Sequence, residues 1–356
     1  MNDLTLLLLE GDGIGPDIVS ATAKVLEAAN TLFGLGLTFT QAPIGFTALK
    51  AHGTTFPDST WAQAQAAHGI VLGPVSHNDY PPRAEGGLNP SGELRIRLDL
   101  YANIRPARTI EGVPHASRKP FDLVIVRENT EGFYADRSMF MGPGEYMPTP
   151  DLALATRKVT RQASLRIAEQ GFVLARQRQR KVTAVHKANV LRISDGLFLE
   201  CVRQIAGNYP DVAYEEQLVD AMAALLVRDA SKFDVIVATN MFGDILSDEA
   251  AELAGGLGLG ASLNAGVDRA VAQAQHGSAP TLANRDLGNP AALINSSAML
   301  LAWLGERHGR PALIEASASI EQAVHRCIAN PKTRTADLGG TLGTRAFAAA
   351  IVEHLV

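Results

Sequence analysis

The run Leu4-Thr5-Leu6-Leu7-Leu8-Leu9, followed at once by Glu10-Gly11-Asp12-Gly13-Ile14-Gly15-Pro16, decides how the fold is read. Six mostly apolar residues before a glycine cluster read as a buried strand. Pro16–Phe33 then reads as a helix with Pro at its start. A glycine-rich turn between strand and helix invites a Rossmann nucleotide loop. The spacing is wrong for one, because that loop needs G-x-G-x-x-G and the glycines here fall at 11, 13 and 15. Pro16 also removes one of the N–H donors that such a loop would use. By itself the motif reads equally well as a plain tight turn. As a targeting signal the apolar run is too short and has no basic leader.

Strands and helices continue to alternate outward from this start. Strands are expected at Leu37–Gln41, Gly69–Gly73, Leu100–Pro106, Phe121–Arg127, Phe133–Met139, Lys181–His186, Val212–Gln217 and Phe233–Ala238. Helices are expected at Thr60–Ala67, from about Glu93, at Thr156–Gln170, Ile193–Gly207 and Val219–Arg228, and from about Gly243. Tyr80–Gly92 and Met141–Pro150 read as Pro/Gly-rich loops. The C-terminal third reads as mostly helical, over Pro290–His308, Ile314–Ala329 and Thr344–Leu355. Alternation of this kind indicates an α/β fold with a parallel or mixed sheet.

A chain of 356 residues exceeds what one core usually supports, so two lobes are expected. No composition break marks a linker, which points to lobes interleaved along the chain. A net charge of −5 without a basic run gives no support to nucleic-acid or membrane binding. No stretch reaches the ~18 apolar residues of a membrane span. Cys201 and Cys327 lack a metal-ligand spacing, and a reducing cytoplasm fits them.

Three groups of residues carry chemistry. Among Arg95, Arg105 and Arg127, the last two end apolar strand-like runs, and the planar guanidinium fork suits carboxylates, so an acidic substrate is expected; the alternative, favoured for any single arginine, is a structural ion pair. Arg97 and Arg108 read instead as structural ion pairs. Asp244 and Asp248 are spaced i, i+4, which puts both carboxylates on one helix face. Like charges there repel unless a cation lies between them, and Mg2+ or Mn2+ suits oxygen ligands; the alternative is a solvated acidic helix start. Lys187 directly follows an apolar strand, where desolvation would suit a proton acceptor, although a lone Lys is more often solvated surface. His186 reads as a packed histidine. The small-residue loop His276–Pro280 would let a ligand approach the backbone, or is an ordinary turn.

The stretches Gly11–Pro16 (GDGIGP), Leu98–Pro106 (LDLYANIRP), Arg127–Tyr134 (RENTEGFY), His186–Val190 (HKANV), Asp220–Met222 (DAM), Asn240–Asp248 (NMFGDILSD), His276–Pro280 (HGSAP) and Asp337–Gly340 (DLGG) occur in this order. Together they resemble the β-decarboxylating dehydrogenases: the isocitrate, homoisocitrate, 3-isopropylmalate and tartrate/malate dehydrogenases. The resemblance implies an isocitrate/isopropylmalate dehydrogenase-like α/β fold that is not Rossmann, with two interleaved lobes around a mixed sheet. Residues 1–100 with 252–356 would form the cofactor-binding lobe that holds both termini. Residues 101–251 would form the central lobe, with the metal-site and dimerisation elements. The resemblance implies a homodimer with shared sites, in which Lys187 and Asp220 come from the partner chain. Arg95, Arg105 and Arg127 would grip the malate carboxylates. Asp220, Asp244 and Asp248 would hold Mg2+ or Mn2+. Lys187, aided by Asp220, would take the hydroxyl proton, and Tyr134 would protonate C3 after CO2 leaves. Cofactor contacts are implied at Ile14, Gly73, Asn189, His276, Gly277, Ser278, Ala279, Pro280, Leu282 and Asn289.

Thr281 and Leu282 stand where NADP-linked bacterial isocitrate dehydrogenases carry Lys-Tyr for the 2′-phosphate, and many NAD-linked members carry Asp at the Thr281 position. The phosphate clamp is missing, so NAD is expected over NADP. Ahead of Arg95, Ser91 and Gly92 occupy positions where isopropylmalate enzymes have leucines. Isocitrate enzymes place Ser and Asn six and four residues before the Arg, and here the order is Asn89 then Ser91. A polar or carboxylate-bearing substituent on the malate is therefore expected, with Asn89 and Ser91 donating to it. Ser91 as a mere helix cap is the alternative. A D-malate or tartrate dehydrogenase, a 3-isopropylmalate dehydrogenase and a non-catalytic regulatory subunit are the competing readings. The last predicts losses among Lys187, Tyr134 and the aspartates, and all are present.

Overall fold

The computed structural model describes residues 3–134, 139, 141–142 and 144–356. The chain begins with β1 (Leu4–Leu9), α1 (Gly15–Phe33), β2 (Leu37–Gln41), α2 (Gly45–His52), α3 (Asp58–Ala66), β3 (Gly69–Leu72) and α4 (Pro90–Arg97). Its middle holds β4 (Ala102–Arg108), β5 (Asp122–Glu128), a hairpin of β6 (Glu145–Thr149) and β7 (Leu152–Ala155), α5 (Arg161–Arg176), β8 (Lys181–His186), α6 (Ser194–Ala206), β9 (Ala213–Leu218), α7 (Val219–Asp229), β10 (Val235–Ala238) and α8 (Asn240–Ala254). It ends with β11 (Leu263–Ala265), β12 (Ala270–Gln273), α9 (Ala291–His308), α10 (Pro311–Ala329) and α11 (Thr344–Glu353).

One mixed sheet crosses the whole molecule in the order β2-β1-β3-β12-β11-β4-β5-β10-β8-β9. The first four strands pair parallel with one another, as do the last four. Between them β11 pairs antiparallel with both β12 and β4, and β4 pairs antiparallel with β5. The two parallel halves therefore run in opposite senses and meet through β11 and β4. This is the expected mixed α/β sheet, and it differs from the Rossmann arrangement.

Both faces of each half are covered, so the strands are apolar throughout instead of alternating. In β5, Leu123 and Ile125 pack under α7 and α8 with Met222 and Leu246, while Val124 and Val126 pack under α5 and α6 with Phe172 and Phe198. In the other half, Ile18, Leu293, Leu301 and Phe347 join α1, α9 and α11 on one face, and Leu7, Leu9 and Ile70 meet Phe56 on the other. The cores of the first half draw on both ends of the chain, and those of the second on its middle.

Several segments depart from the sequence reading. Met141–Pro150 is not all loop, because Glu145–Thr149 pairs with Leu152–Ala155 in an exposed two-stranded sheet. Pro148 hid this strand; proline is tolerated there because the ribbon is an edge on both sides. Helix α5 starts at Arg161, not Thr156, where the Thr160 hydroxyl accepts from the Ala163 N–H at 3.2 Å. β11 and β12 lie in a region expected to be mostly helical, and α2 went unread. Their small residues carry little propensity, and only pairing in the sheet makes β11 and β12 strands. Phe133 and Tyr134 form a turn, and 135–138 of the strand expected at Phe133–Met139 lie outside the described residues.

Candidate active site

Three arginines reach one cleft from three elements: Arg95 from the last turn of α4, Arg105 from β4 and Arg127 from β5. Arg105 and Arg127 are only 6% and 2% exposed. A guanidinium so buried persists only when its donors and charge are met. Arg127 donates through Nε and Nη2 to Asn240 Oδ1, at 2.9 and 2.6 Å, and through Nη1 to Asp244 Oδ1. Arg105 Nη1 lies 2.7 Å from Ser247 Oγ, 3.1 Å from Asp244 Oδ1 and 3.4 Å from Asp248 Oδ1. Its Nε donates to Asn103 Oδ1. The Tyr134 hydroxyl donates to the other Asp244 oxygen at 3.1 Å. Three guanidinium groups thus face two carboxylates, and the excess positive charge suits an anionic ligand. Arg97 and Arg108 sit outside this set in ion pairs with Glu93 and Glu321, as expected.

Asp244 and Asp248 occupy one face of α8, one turn apart. Burial works against ionisation of Asp244, but the charges of Arg127 and Arg105 outweigh it and hold its carboxyl below the usual range. Asp248 shifts the other way: burial raises it, Arg105 opposes, and the charge of Asp244 adds to the rise. An oxygen-only pair of this kind suits a hard divalent cation. The third aspartate is elsewhere. Asp220, in the first turn of α7, pairs with Lys187 Nζ at 2.5 Å, and neither residue lines the cleft. The hydrogen bond from Lys187 holds the Asp220 carboxyl down. Among the described residues no three His, Cys, Asp or Glu side chains stand close enough to hold a metal.

The cleft wall beside Arg95 is polar. Asn89 caps α4 by accepting from the Gly92 N–H at 3.2 Å, so the capping role considered for Ser91 belongs to Asn89. Ser91 is buried and lies 3.0 Å from Gln273 Oε1. Gln273 ends β12 and was missed in the sequence because that strand was missed. Asn240, Asn103 and Ser247, which hold the arginines, lie in or beside the quoted motifs but carry no spacing signal of their own.

Next to this cleft is a second cavity, lined by Ile14, His276, Gly277, Ala279, Leu282 and Asn289 among others. His276 and Gly277 border both spaces. The His276 Nε2 is buried with no hydrogen-bond partner among the described residues, and burial pushes its ring below the usual imidazole range. A neutral ring with an unmet nitrogen fits a site that receives a polar ligand such as a dinucleotide. The glycine motif forms part of the frame. Ile14 N donates to Ser278 O at 2.8 Å, and a Cβ on Gly13 would stand 1.9 Å from that oxygen. Asp12 accepts from Phe46 N at 2.8 Å, from Ser76 N at 3.0 Å and from the Tyr80 hydroxyl. Ser278 is tied to Ser76 at 2.7 Å, and Pro280 opens a short 3-10 turn. Asn289 donates to Asp337 at 2.9 Å. Gly73 and Asn189 line neither space; Gly73 packs against Glu10 O behind the cleft, and Asn189 lies in the turn after β8.

A family model described as isocitrate/isopropylmalate dehydrogenase matches residues 5–354. An isocitrate/homoisocitrate dehydrogenase of Thermus thermophilus is 42% identical over 352 residues, 98% of each chain. A 3-isopropylmalate dehydrogenase of Sulfurisphaera tokodaii is 38% identical over 340 residues, 96% of each. Among solved structures, an isocitrate dehydrogenase from Methylococcus capsulatus superposes with a TM-score of 0.85 at 39% identity, over 99% of both chains.

Proposed function

Because the chain belongs to the isocitrate/isopropylmalate dehydrogenase family and is a decarboxylating dehydrogenase acting on a CH–OH group, we propose that it oxidises and decarboxylates a 3-substituted D-malate whose substituent is polar or bears a carboxylate. Members of this family generally depend on NAD or NADP and a divalent metal; NAD and Mg2+ or Mn2+ are the choices proposed here. The observation that carries the substrate reading is the polar wall of Asn89, Ser91 and Gln273 beside Arg95, where an isopropyl group would meet amides and a hydroxyl. The name of the Thermus thermophilus relative agrees with it.

Asp244 and Asp248, with Asp220 of the partner subunit, would hold the cation. His276, Gly277, Ala279, Leu282 and Asn289 would face the dinucleotide. When bound, the cation supplies polarisation of the C2 oxygen and counter-charge for the enolate, and NAD supplies the hydride acceptor. Arg95, Arg105 and Arg127 hold the substrate carboxylates through paired N–H donors. The partner subunit's Lys187 receives the proton of the C2 hydroxyl as that carbon becomes a ketone. The C3 carboxylate of the resulting β-keto acid leaves as CO2, and its bonding pair forms the C2–C3 enolate. Tyr134, placed at Asp244, delivers a proton to C3.

The homodimer is part of the proposal. It is supported by the separation of the Lys187–Asp220 pair from the cleft of its own chain. It is supported also by exposed apolar residues near that pair and on the neighbouring helices: Val190, Ile193, Val227 and Ile245. Two free, buried cysteines fit a cytoplasmic setting. Among the described residues no helix is long and apolar enough to cross a membrane.

The test is a panel of isocitrate, homoisocitrate, 3-isopropylmalate, tartrate and D-malate with NAD and Mn2+, followed by NADH absorbance. The highest kcat/KM is expected for isocitrate or homoisocitrate, lower rates with NADP, and loss of turnover on adding EDTA. A higher kcat/KM for 3-isopropylmalate or D-malate would overturn the substrate reading, and EDTA-insensitive turnover the metal.

A further inference from the structure

A buried ion pair lies between two parts of the chain that serve different clefts. The Arg157 side chain is 8% exposed, and that of Asp195, in the first turn of α6, is fully buried. Arg157 Nη1 donates to Asp195 Oδ1 at 2.5 Å and to Ser194 Oγ at 2.8 Å. The other Asp195 oxygen accepts from the backbone N–H of Lys187 at 2.5 Å. Asp195 thus holds Lys187 by its main chain, whereas Asp220 meets it at Nζ. The other end of the guanidinium fork turns toward the chain's own cleft. Arg157 Nη2 donates to the hydroxyl of Thr239 at 3.0 Å, next to the Asn240 that binds Arg127. Its guanidinium carbon lies 5.4 Å from the ring centre of Phe242 and 5.8 Å from that of Phe133, the neighbour of Tyr134. The adjacent backbone is tied there too: Gly132 N–H donates to Lys158 O at 2.8 Å, and Lys158 N–H to Gly132 O at 3.0 Å. One rigid fork therefore fixes the Lys187 turn against the segments that carry Asn240 and Tyr134.

The geometry points to Asp195 and Arg157 as positioning residues of different reach: Asp195 orients the Lys187 that the chain lends to its partner's cleft, and Arg157 joins that turn to the wall of the chain's own cleft. This inference rests on the shared-site reading above. Neither side chain lines the cleft, so both act through others. A proton acceptor works only within hydrogen-bond reach of the hydroxyl. The lysine stem is flexible, so its reach is set by where the backbone is held. Asp195 makes that hold on one side only. Arg157 makes contacts on both sides, and its removal disturbs the base in one cleft and the binding wall in the other.

The experiment uses a mixed dimer purified through two different tags. One chain carries Asp244→Asn, which disables its own cleft and leaves it to lend Lys187. The other carries Lys187→Ala and supplies the working cleft. Turnover by this parent hybrid, with NAD, Mn2+ and isocitrate or whichever panel member the wild type prefers, tests the shared-site reading. Asp195→Asn is then placed on either chain. On the lending chain it is expected to lower kcat about 10- to 100-fold and to move KM by less than about threefold. On the cleft-supplying chain, whose lysine is already gone, kcat should stay within about twofold. Arg157→Met is expected to act from either chain, with different signatures. From the lending chain kcat falls about tenfold or more; from the cleft-supplying chain KM rises at least about threefold, as Arg127 loses its alignment. A merely structural role predicts the same loss from both placements. Should Arg157→Met fail to fold with Asp195 left charged and alone, Arg157→Met with Asp195→Asn removes both charges together and must give both signatures. An active parent hybrid in which Asp195→Asn acts equally from both chains, or Arg157→Met from one chain only, overturns the inference and leaves the shared sites standing. A parent hybrid without turnover, beside an active wild type, overturns both.

Discussion

His325, on α10 in a pocket it shares with Ala251 and Ala254 at the C-terminal end of α8, shows how one side chain can record the fold in its titration. Burial and the adjacent Arg108 guanidinium, 2.8 Å away, push its imidazole from 6.5 down to about 4. Below pH 6.5 the unfolded chain takes up a proton that the folded chain refuses until pH 4. Stability therefore falls as pH drops through that window, by at most about 3 kcal/mol. The urea midpoint of the wild type should decline more steeply between pH 7 and 4.5 than that of His325→Gln, whose amide oxygen still accepts from Arg108. Parallel curves for the two proteins would show that the histidine is not held neutral. Much at this scale was legible beforehand. Arginines, aspartates and a tyrosine in this order pointed to a site for an acidic ligand, and five of those side chains line one cleft. Gln273 was not legible. A lone Gln in a run of alanines has no distinguishing neighbours, and its meaning comes from Ser91 and Arg95 alone.

At the scale of elements, the approach of α8 to β5 depends on Gly243. A Cβ there would stand 2.7 Å from Arg127 Cβ and 2.8 Å from its Cγ. Contacts that short on the stem of a buried side chain force it to move. Gly243→Ala should destabilise the protein by about 1–3 kcal/mol. It should also lower kcat/KM at least about tenfold, because Arg127 loses its bonds to Asn240 and Asp244. Gly196→Ala on α6 is the control: nothing lies within 4 Å of its Cβ position, and the change should stabilise by about 0.5–1 kcal/mol. Thermal melts and steady-state kinetics on the two variants separate these outcomes, and equal behaviour would sink the close-approach argument. Most long helices were readable because their apolar period and end residues are local properties. β11, β12 and the β6–β7 hairpin were not, because short strands of small or proline-bearing residues become strands only when a neighbour pairs with them.

For the whole molecule, the central fact is that two oppositely running half-sheets meet at β11 and β4, with the arginine cleft beside that junction. One chain carries the cleft and also carries Lys187 and Asp220 apart from it. If sites are shared in a dimer, Lys187→Ala and Asp244→Asn proteins, each inactive alone, should complement. A mixed dimer has one cleft with an intact Asp244 served by an intact Lys187. Random reassortment of equal amounts should restore about one quarter of wild-type activity, half the dimers being mixed with one good site each. Measured after denaturation and refolding together, no recovery would place every catalytic group within one chain.

The sequence by itself determined the chemistry available: arginines whose planar donors suit carboxylates, two aspartates bound by helix geometry to share a face, and a glycine turn whose spacing is not that of a Rossmann loop. It determined these because they depend on residue type and on separations of a few positions. The tertiary structure decided which groups meet. It put Arg105 and Arg127 against Asp244, left Asp220 with Lys187, and brought Gln273 to Ser91 from 182 residues away. A contact across that distance leaves no period in the chain, and neither does the direction in which a hydroxyl must point its proton. Both are settled only when the sheet closes and each donor takes the nearest acceptor.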